Sequence, residues 1–285
     1  MEEELAIRAM TRPELDTLVD WAAAEGWNPG IHDADIFWET DPEGFIAAEH
    51  GGELVGGGSI VSYDGRFGFM GFFIMRPQYR GQGLGRRLWL HRRDLLISRL
   101  RGTAAIGMDG VFDMQDFYSR GGFVLSHRDL RFEGVGATAP VQDNLVELGA
   151  VPFDELLHYD SEHFPAPRPG FLRAWIEQPG GRALGAVSYG KLRGFGVIRP
   201  CRRGYKIGPL FADDANTADA LFRGLGDLAP GEPVFLDVPE NNSQALALAQ
   251  RHDMNEVFGC ARMYYGEPPA LEHSEIYGVT TFELG

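Results

Sequence analysis

Short apolar runs alternate with longer amphipathic stretches along this chain, and glycine, proline and aspartate mark the changes. Leu5–Ala9 predicts a first strand. Pro13, near the start of Thr11–Glu25, suits the opening turn of a helix, where its missing N–H is no loss. Gly26-Trp27-Asn28-Pro29-Gly30 breaks that helix, and Asp33–Trp38 predicts a second, short one. Gly44–Glu49 and Leu54–Tyr63 predict strands joined at His50-Gly51-Gly52, and Phe67–Met75 predicts the next. A helix over Leu84–Leu100 places Leu84, Leu88, Leu95, Leu96 and Leu100 near one face. A strand at Ala104–Met108, a helix at Asp113–Arg120 and a strand at Phe123–Phe132 follow.

The small-residue stretch Gly134-Val135-Gly136-Ala137-Thr138-Ala139-Pro140 then marks a boundary, and a similar order of elements begins again. Strands are expected at Ala183–Gly190, Gly194–Arg199, Gly204–Phe211, Val234–Val238 and Cys260–Tyr265, with helices at Ala215–Leu228 and Ser243–Arg251. Only the order repeats; the halves share too little sequence to read as a repeat by eye. The expected architecture is α/β (α+β with a mixed sheet), in two domains at residues 1–134 and 141–285. Residues 1–134 expressed alone are expected to keep ligand binding but to lose selectivity or solubility, because the face covered by the second domain is then exposed.

Composition narrows the setting. With 285 residues, 44% hydrophobic and 24% charged, the chain has the profile of a soluble globular protein. No apolar run approaches the ~20 residues of a membrane span. Met1-Glu2-Glu3-Glu4 is acidic with no apolar core behind it, which is not a secretory signal. The two cysteines, Cys201 and Cys260, fit no zinc spacing; their scarcity points to a reducing cytoplasm, and no metal is expected. A net charge of −15 argues against nucleic acid or an anionic membrane surface as partner. Against that background Arg80, Arg86, Arg87, Arg92, Arg93, Arg99 and Arg101 fall close together, with Asp94 the one acid among them. Arg92, Arg93 and Arg99 read as a solvated helix face, Arg80 and Arg86 as phosphate ligands.

The reason lies in what precedes them. The apolar run Phe72-Phe73-Ile74-Met75 leads into Arg80-Gly81-Gln82-Gly83-Leu84-Gly85-Arg86, and a helix follows at once. Glycines let backbone N–H groups converge on an anion, and the positive end of the helix dipole adds to their pull. A Walker A loop would need Lys-Ser or Lys-Thr where Arg86-Arg87 stands, and the spacing is not that of a dinucleotide fingerprint. The motif resembles the acetyl-CoA-binding loop of the GNAT acetyltransferases. The resemblance continues through Ile106–Val111, His127–Phe132, Asp237–Asn241 and Ala261–Tyr264, and is to a bacterial subgroup with two fused GNAT-like domains. The second half lacks the loop. After Gly204–Phe211 comes Ala212-Asp213-Asp214-Ala215, whose carboxylates cap N–H groups and would repel a pyrophosphate.

That resemblance implies an acetyl-CoA-dependent N-acetyltransferase with acetyl-CoA as co-substrate, moving the acetyl group directly to a primary amine of a small molecule or protein. A non-catalytic acyl-CoA-binding or sensing module is the alternative, and a homodimer stays open. The resemblance places the thioester near the backbone of Ile74 and Met75, and the pyrophosphate on residues 80–86. Within Asp113–Phe123 it gives Tyr118 the place of the acid that protonates the leaving thiolate, and a phenol suits that task. Asp113 departs from the asparagine common there. No carboxylate lies on Phe67–Met75, so the base stays open among Asp109, His32, Asp33, Asp35, His127 and water. Trp27, Asn28, His32 and Asp33 are expected to wall the acceptor site.

Overall fold

The structure, a computed structural model, describes residues 5–140 and 144–285. The acidic start Met1–Glu4 and residues 141–143, where the second domain was expected to open, lie outside the described residues. In chain order the first half contains β1 (Ala6–Ala9), α1 (Arg12–Ala24), α2 (Asp33–Thr40), β2 (Phe45–His50), β3 (Glu53–Tyr63) and β4 (Phe67–Met75). It continues with α3 (Leu84–Arg99), β5 (Ile106–Val111), α4 (Gln115–Arg120) and β6 (Val124–Val135). The second half contains β7 (Leu145–Glu147), α5 (Phe153–His163), α6 (Pro169–Ile176), β8 (Arg182–Ser188), β9 (Lys191–Pro200) and β10 (Tyr205–Ala212). There follow α7 (Ala215–Gly226), β11 (Pro233–Pro239), α8 (Ser243–Arg251), β12 (Asn255–Tyr265) and β13 (Ile276–Gly278). Nothing in the apolar pattern points to β7, α5, α6 or β13.

One mixed sheet carries both halves, in the order β1-β2-β3-β4-β5-β12-β6-β11-β10-β9-β8-β7, with β13 set against β10. Its centre holds an exchange. The last long strand of the second half, β12, pairs with β5, from Cys260 opposite Val111 to Tyr265 opposite Ile106. The last strand of the first half, β6, pairs with β11, from Pro233 opposite Val135 to Pro239 opposite Asp129. The two exchanged strands also pair with each other. The small-residue stretch expected as a linker thus begins inside β6, where Gly134 pairs with Val234, and it makes no break in the sheet.

The helices divide by face. Leu15, Leu18 and Phe37 of α1 and α2 share one apolar cluster with Leu156, Phe171 and Trp175 of α5 and α6. Phe37 stacks on Trp175 at 6.1 Å, joining the halves directly. On the other face Leu88, Trp89 and Tyr118 of α3 and α4 form a second cluster, completed by Ala261 and Met263 of β12, and α7 and α8 pack a third. Among the described residues no helix is long and apolar enough to cross a membrane.

Candidate active site

Two local irregularities open the sheet. Pairing of β3 with β4 runs Ser59–Gly71 and resumes at Gly57–Ile74, so β4 carries an extra residue. Phe72 sits at this bulge with φ of 46°, a costly conformation for an aromatic residue, and is held by packing on Phe37 at 5.9 Å. On its other side β4 pairs in parallel with β5 only through Gly68–Met70. Beyond Met70 the strands part, and a cavity of about 410 Å³ occupies the gap.

The cradle forms one end of that cavity. Gly81 and Gly83 have φ of 76° and 80°, and a Cβ on either would meet nothing within 4 Å, so glycine is needed there for backbone conformation and not for room. Gly83 caps α3, whose ladder starts with the Arg87 N–H to the Gly83 carbonyl at 3.3 Å. The N–H groups of the first turn thus lack helical acceptors, as an anion site requires. Arg80 donates Nε–H to the Met75 carbonyl at 2.8 Å and Nη2–H to Glu25, which fixes it beside the loop. Ile74, Met75, Arg80, Gly81, Gly83, Gly85 and Arg86 line the cavity, whereas Gln82 and Leu84 do not. Gln82 instead donates to the Gln78 carbonyl at 2.9 Å. This open, cationic, N–H-rich mouth fits a pyrophosphate.

Tyr118 lines the same cavity with 4% exposure, packed among Phe73, Trp89 and Phe117. Burial pushes its phenol well above the ordinary range, and nearby Arg92 offsets part of the rise, so the hydroxyl keeps its proton for donation. Arg92 corrects the expectation of a solvated helix face. It is fully buried and donates Nη2–H to the carbonyls of Ser59 and Gly71, both at 2.5 Å, under the bulge. Glycine at 58 makes the space, since a Cβ there would lie 2.2 Å from the guanidinium carbon. Arg99 likewise clasps Asp41 with Nη2 at 2.7 Å from both oxygens.

The proposed base and acceptor residues meet different fates. Asp109 lines the cavity, but Arg262 of β12 takes both its oxygens at 2.7 Å. Burial pushes its carboxyl up to about 8, Arg262 pulls the other way, and Asp129 adds to the rise. Trp27 reaches the cavity; Asn28, His32 and Asp33 do not line it. Asn28 pairs with the backbone of Arg203 at 2.9 and 3.0 Å, and buried Asp33 binds Arg199 at 3.0 Å and the Gly30 N–H at 2.7 Å. These residues stitch the loop after α1 to the second half. Asp35 takes Arg12 instead. His127 lies in a separate small hollow beside His273.

The second half adds residues that sequence distance concealed. Phe258 and Cys260 of β12, with Phe282 and Glu283 near the C-terminus, all line the cavity. Cys260 is free, and burial raises its thiol well above the usual range, which makes it a poor nucleophile. In the second half the Asp214 side chain accepts the N–H groups of Asn216 and Thr217, both at 2.9 Å, and so fills the start of α7 itself. Among the described residues no cluster of His, Cys, Asp or Glu could hold a metal.

A mixed sheet parted behind a bulged strand, with a glycine cradle at the mouth of the gap, defines an acyl-transfer class of fold, and comparison with known proteins agrees. The signature described as the Acetyltransferase (GNAT) family matches residues 12–123, and that of the Acetyltransferase (GNAT) domain matches residues 156–278. The chain belongs to the GNAT acetyltransferases and carries two GNAT domains in tandem. Holothin acyltransferase of Pseudoalteromonas sp. (strain SANK 73390) is 28% identical over 274 residues, covering 95% of this chain and 92% of the relative. An acetyltransferase-like protein of Pyrococcus horikoshii superposes with a TM-score of 0.84 at 23% identity, over 99% of this chain and 96% of that one. A tandem GNAT protein from the clavulanic acid biosynthesis pathway gives a TM-score of 0.63 at 15% identity, over 94% and 100%.

Proposed function

We propose that the chain is an acyl-CoA-dependent N-acyltransferase, with acetyl-CoA as donor and a small-molecule amine as acceptor. The observation that carries this reading is a single cavity linking the cradle at Gly81–Arg86, the parted end of β4 and the Tyr118 phenol. Residues 80–86 would hold the donor's pyrophosphate and the edge of β4 at Ile74 and Met75 its thioester arm, while Tyr118 supplies a proton to the departing sulfur. Trp27, Phe258 and Phe282 give the rest of the cavity an aromatic lining suited to a small acceptor. The names of the holothin acyltransferase and of the clavulanic acid pathway protein also favour small compounds over proteins.

Calorimetry should find one acetyl-CoA per chain, because Asp213 and Asp214 oppose a pyrophosphate in the second half. Thiol release should follow when a panel of small amines is added. Tight donor binding with no thiol release from any amine would support a sensing module and overturn catalysis. Two equivalent donor sites would overturn the division between the halves.

Tyr118→Phe should lower kcat roughly tenfold and leave acetyl-CoA affinity unchanged. The loss is expected below the usual hundredfold or more for an acid because a thiolate is already a fair leaving group. Equal turnover in variant and parent would assign the proton to water.

A further inference from the structure

We infer that Glu283, brought into the first half's cavity by the C-terminal segment, accepts the proton of the incoming amine. This rests on the N-acyltransfer reading and supplies the base that β4 lacks.

The segment starts in the second half. There β10 pairs in parallel with β11 from Tyr205 to Ile207 and then turns away, as β4 turns from β5. Strand β13 lies against the released part of β10, with Leu210 opposite Gly278 and Phe211 opposite Ile276. The Val279 N–H reaches the Asp237 carbonyl of β11 at 2.9 Å, so the chain itself bridges the two strands where the first half has its cavity. A Cβ on Gly208 would lie 2.6 Å from the Val279 carbonyl oxygen, which shows how closely this segment is seated.

Residues 280–285 then cross to the first half. The Thr281 hydroxyl accepts the N–H groups of Glu283 and Leu284 at 2.9 and 3.0 Å, forming a tight turn. Tyr63 donates to the Leu284 carbonyl at 2.8 Å, and Ser59 reaches the Glu283 carbonyl at 3.4 Å. A Cβ on Gly71 would stand 2.0 Å from that same carbonyl oxygen, so the turn presses on β4 next to the bulge. Glu283 is 3% exposed and lines the cavity, and its Oε2 is buried without a hydrogen-bond partner. A buried carboxylate oxygen left unmatched is costly unless a ligand meets it. An ammonium or amine N–H in the cavity is that ligand.

Arg131 on β6, Arg199 on β9 and Lys206 on β10 are the cations whose fields reach Glu283. Asp237 and Asp33 pair with the two arginines, and the thiols of Cys201 and Cys260 lie in the same interior. Asp109, Glu25, Arg80 and Arg86 are the charged groups on the cavity wall. Asp109 has both oxygens on Arg262 and Glu25 is held by Arg80, which leaves Glu283 as the carboxylate presented to an amine. In the reaction the amine nitrogen bonds to the thioester carbonyl carbon and the C–S bond breaks. An amine that arrives as an ammonium first gives one proton to Glu283, which passes it to solvent; as the C–N bond forms the nitrogen gives a second proton to the same carboxylate, and the sulfur takes one from Tyr118. Solvent then restores both groups, so the sum is amide plus free CoA.

The test uses the full chain with an amine that the parent turns over, at saturating acetyl-CoA, from about pH 6 to about pH 10. Glu283→Gln should reduce kcat roughly a hundredfold near neutrality, with acetyl-CoA affinity and melting temperature unchanged. Its deficit should shrink as pH rises and free amine forms without help. Glu283→Asp, which withdraws the carboxylate by one methylene, should lose roughly tenfold and keep the parent's pH profile; it decides the matter if the Gln variant does not fold. Parent-like turnover in Glu283→Gln, or a deficit equal at every pH, would overturn this role while the N-acyltransfer reading stands. If the parent itself releases no CoA with any amine, both fall together.

Discussion

Residues 1–140 expressed without the second half should show no cooperative unfolding transition and no measurable acetyl-CoA binding, a larger loss than the selectivity or solubility that the sequence leads one to expect. Removing residues 144–285 strips β12 from β5, and β11 and β12 from β6. That leaves β5 with a free edge and β6 with no partner at all, and unpaired edges of this kind aggregate. The apolar cluster around Leu15, Leu18 and Phe37 would also lose Trp175, Phe171 and Leu156. A small domain's stability is only about 5–15 kcal/mol, and exposing several large apolar side chains at about 1.5–3 kcal/mol each consumes that margin. Far-UV circular dichroism during heating, with calorimetric titration of acetyl-CoA, reads both outcomes. Co-expression of the two fragments should restore binding, since each supplies the strand the other lacks. A fragment of residues 1–140 that melts cooperatively and binds like the parent would show the exchange to be dispensable.

The legible and illegible parts of this molecule differ in range. The cradle could be read because its parts are contiguous: the apolar strand, Arg80, Gly81, Gly83, Gly85 and the helix that follows obey local rules. Asp213-Asp214 could be read for the same reason, and Asp214 caps α7 as its position implied. The strand exchange left no mark, because alternation along β6 and β12 states which residues face inward and nothing about which strand lies alongside. Arg92 read as surface because charge usually is; only the glycine at 58 and the bulge between β3 and β4 make its burial intelligible. Asn28 and Asp33 were sound choices for a polar contact, but their partners proved to be Arg203 and Arg199 of the second half, far away in sequence. Cys260 and Glu283 enter the cavity by the same long route. The stretch from Thr280 to Gly285 is too short for a period and carries no motif, so Glu283 had no signal beyond being one acid among many.

Gly83→Asp should weaken acetyl-CoA binding on the order of a hundredfold, about 2.7 kcal/mol, and leave the fold intact. The substitution copies into the first half the device that closes the second. At φ of 80° a side chain is strained, but aspartate and asparagine tolerate this region better than other residues, and a Cβ there meets nothing within 4 Å. The carboxylate would accept the free N–H groups at the start of α3, as Asp214 does at the start of α7, and so keep the helix capped. What changes is the ligand site: those N–H groups are taken, and a negative charge faces the pyrophosphate. Gly83→Asn separates the two effects, since it caps without charge and should cost distinctly less. Titration calorimetry with CoA on both variants measures the difference. A pantetheine thioester, which lacks the phosphates, should bind parent and variants alike. Unchanged CoA affinity in a folded Gly83→Asp protein would mean that the donor is not held by the loop between Arg80 and Arg86, and the functional assignment built on that loop would fall with it.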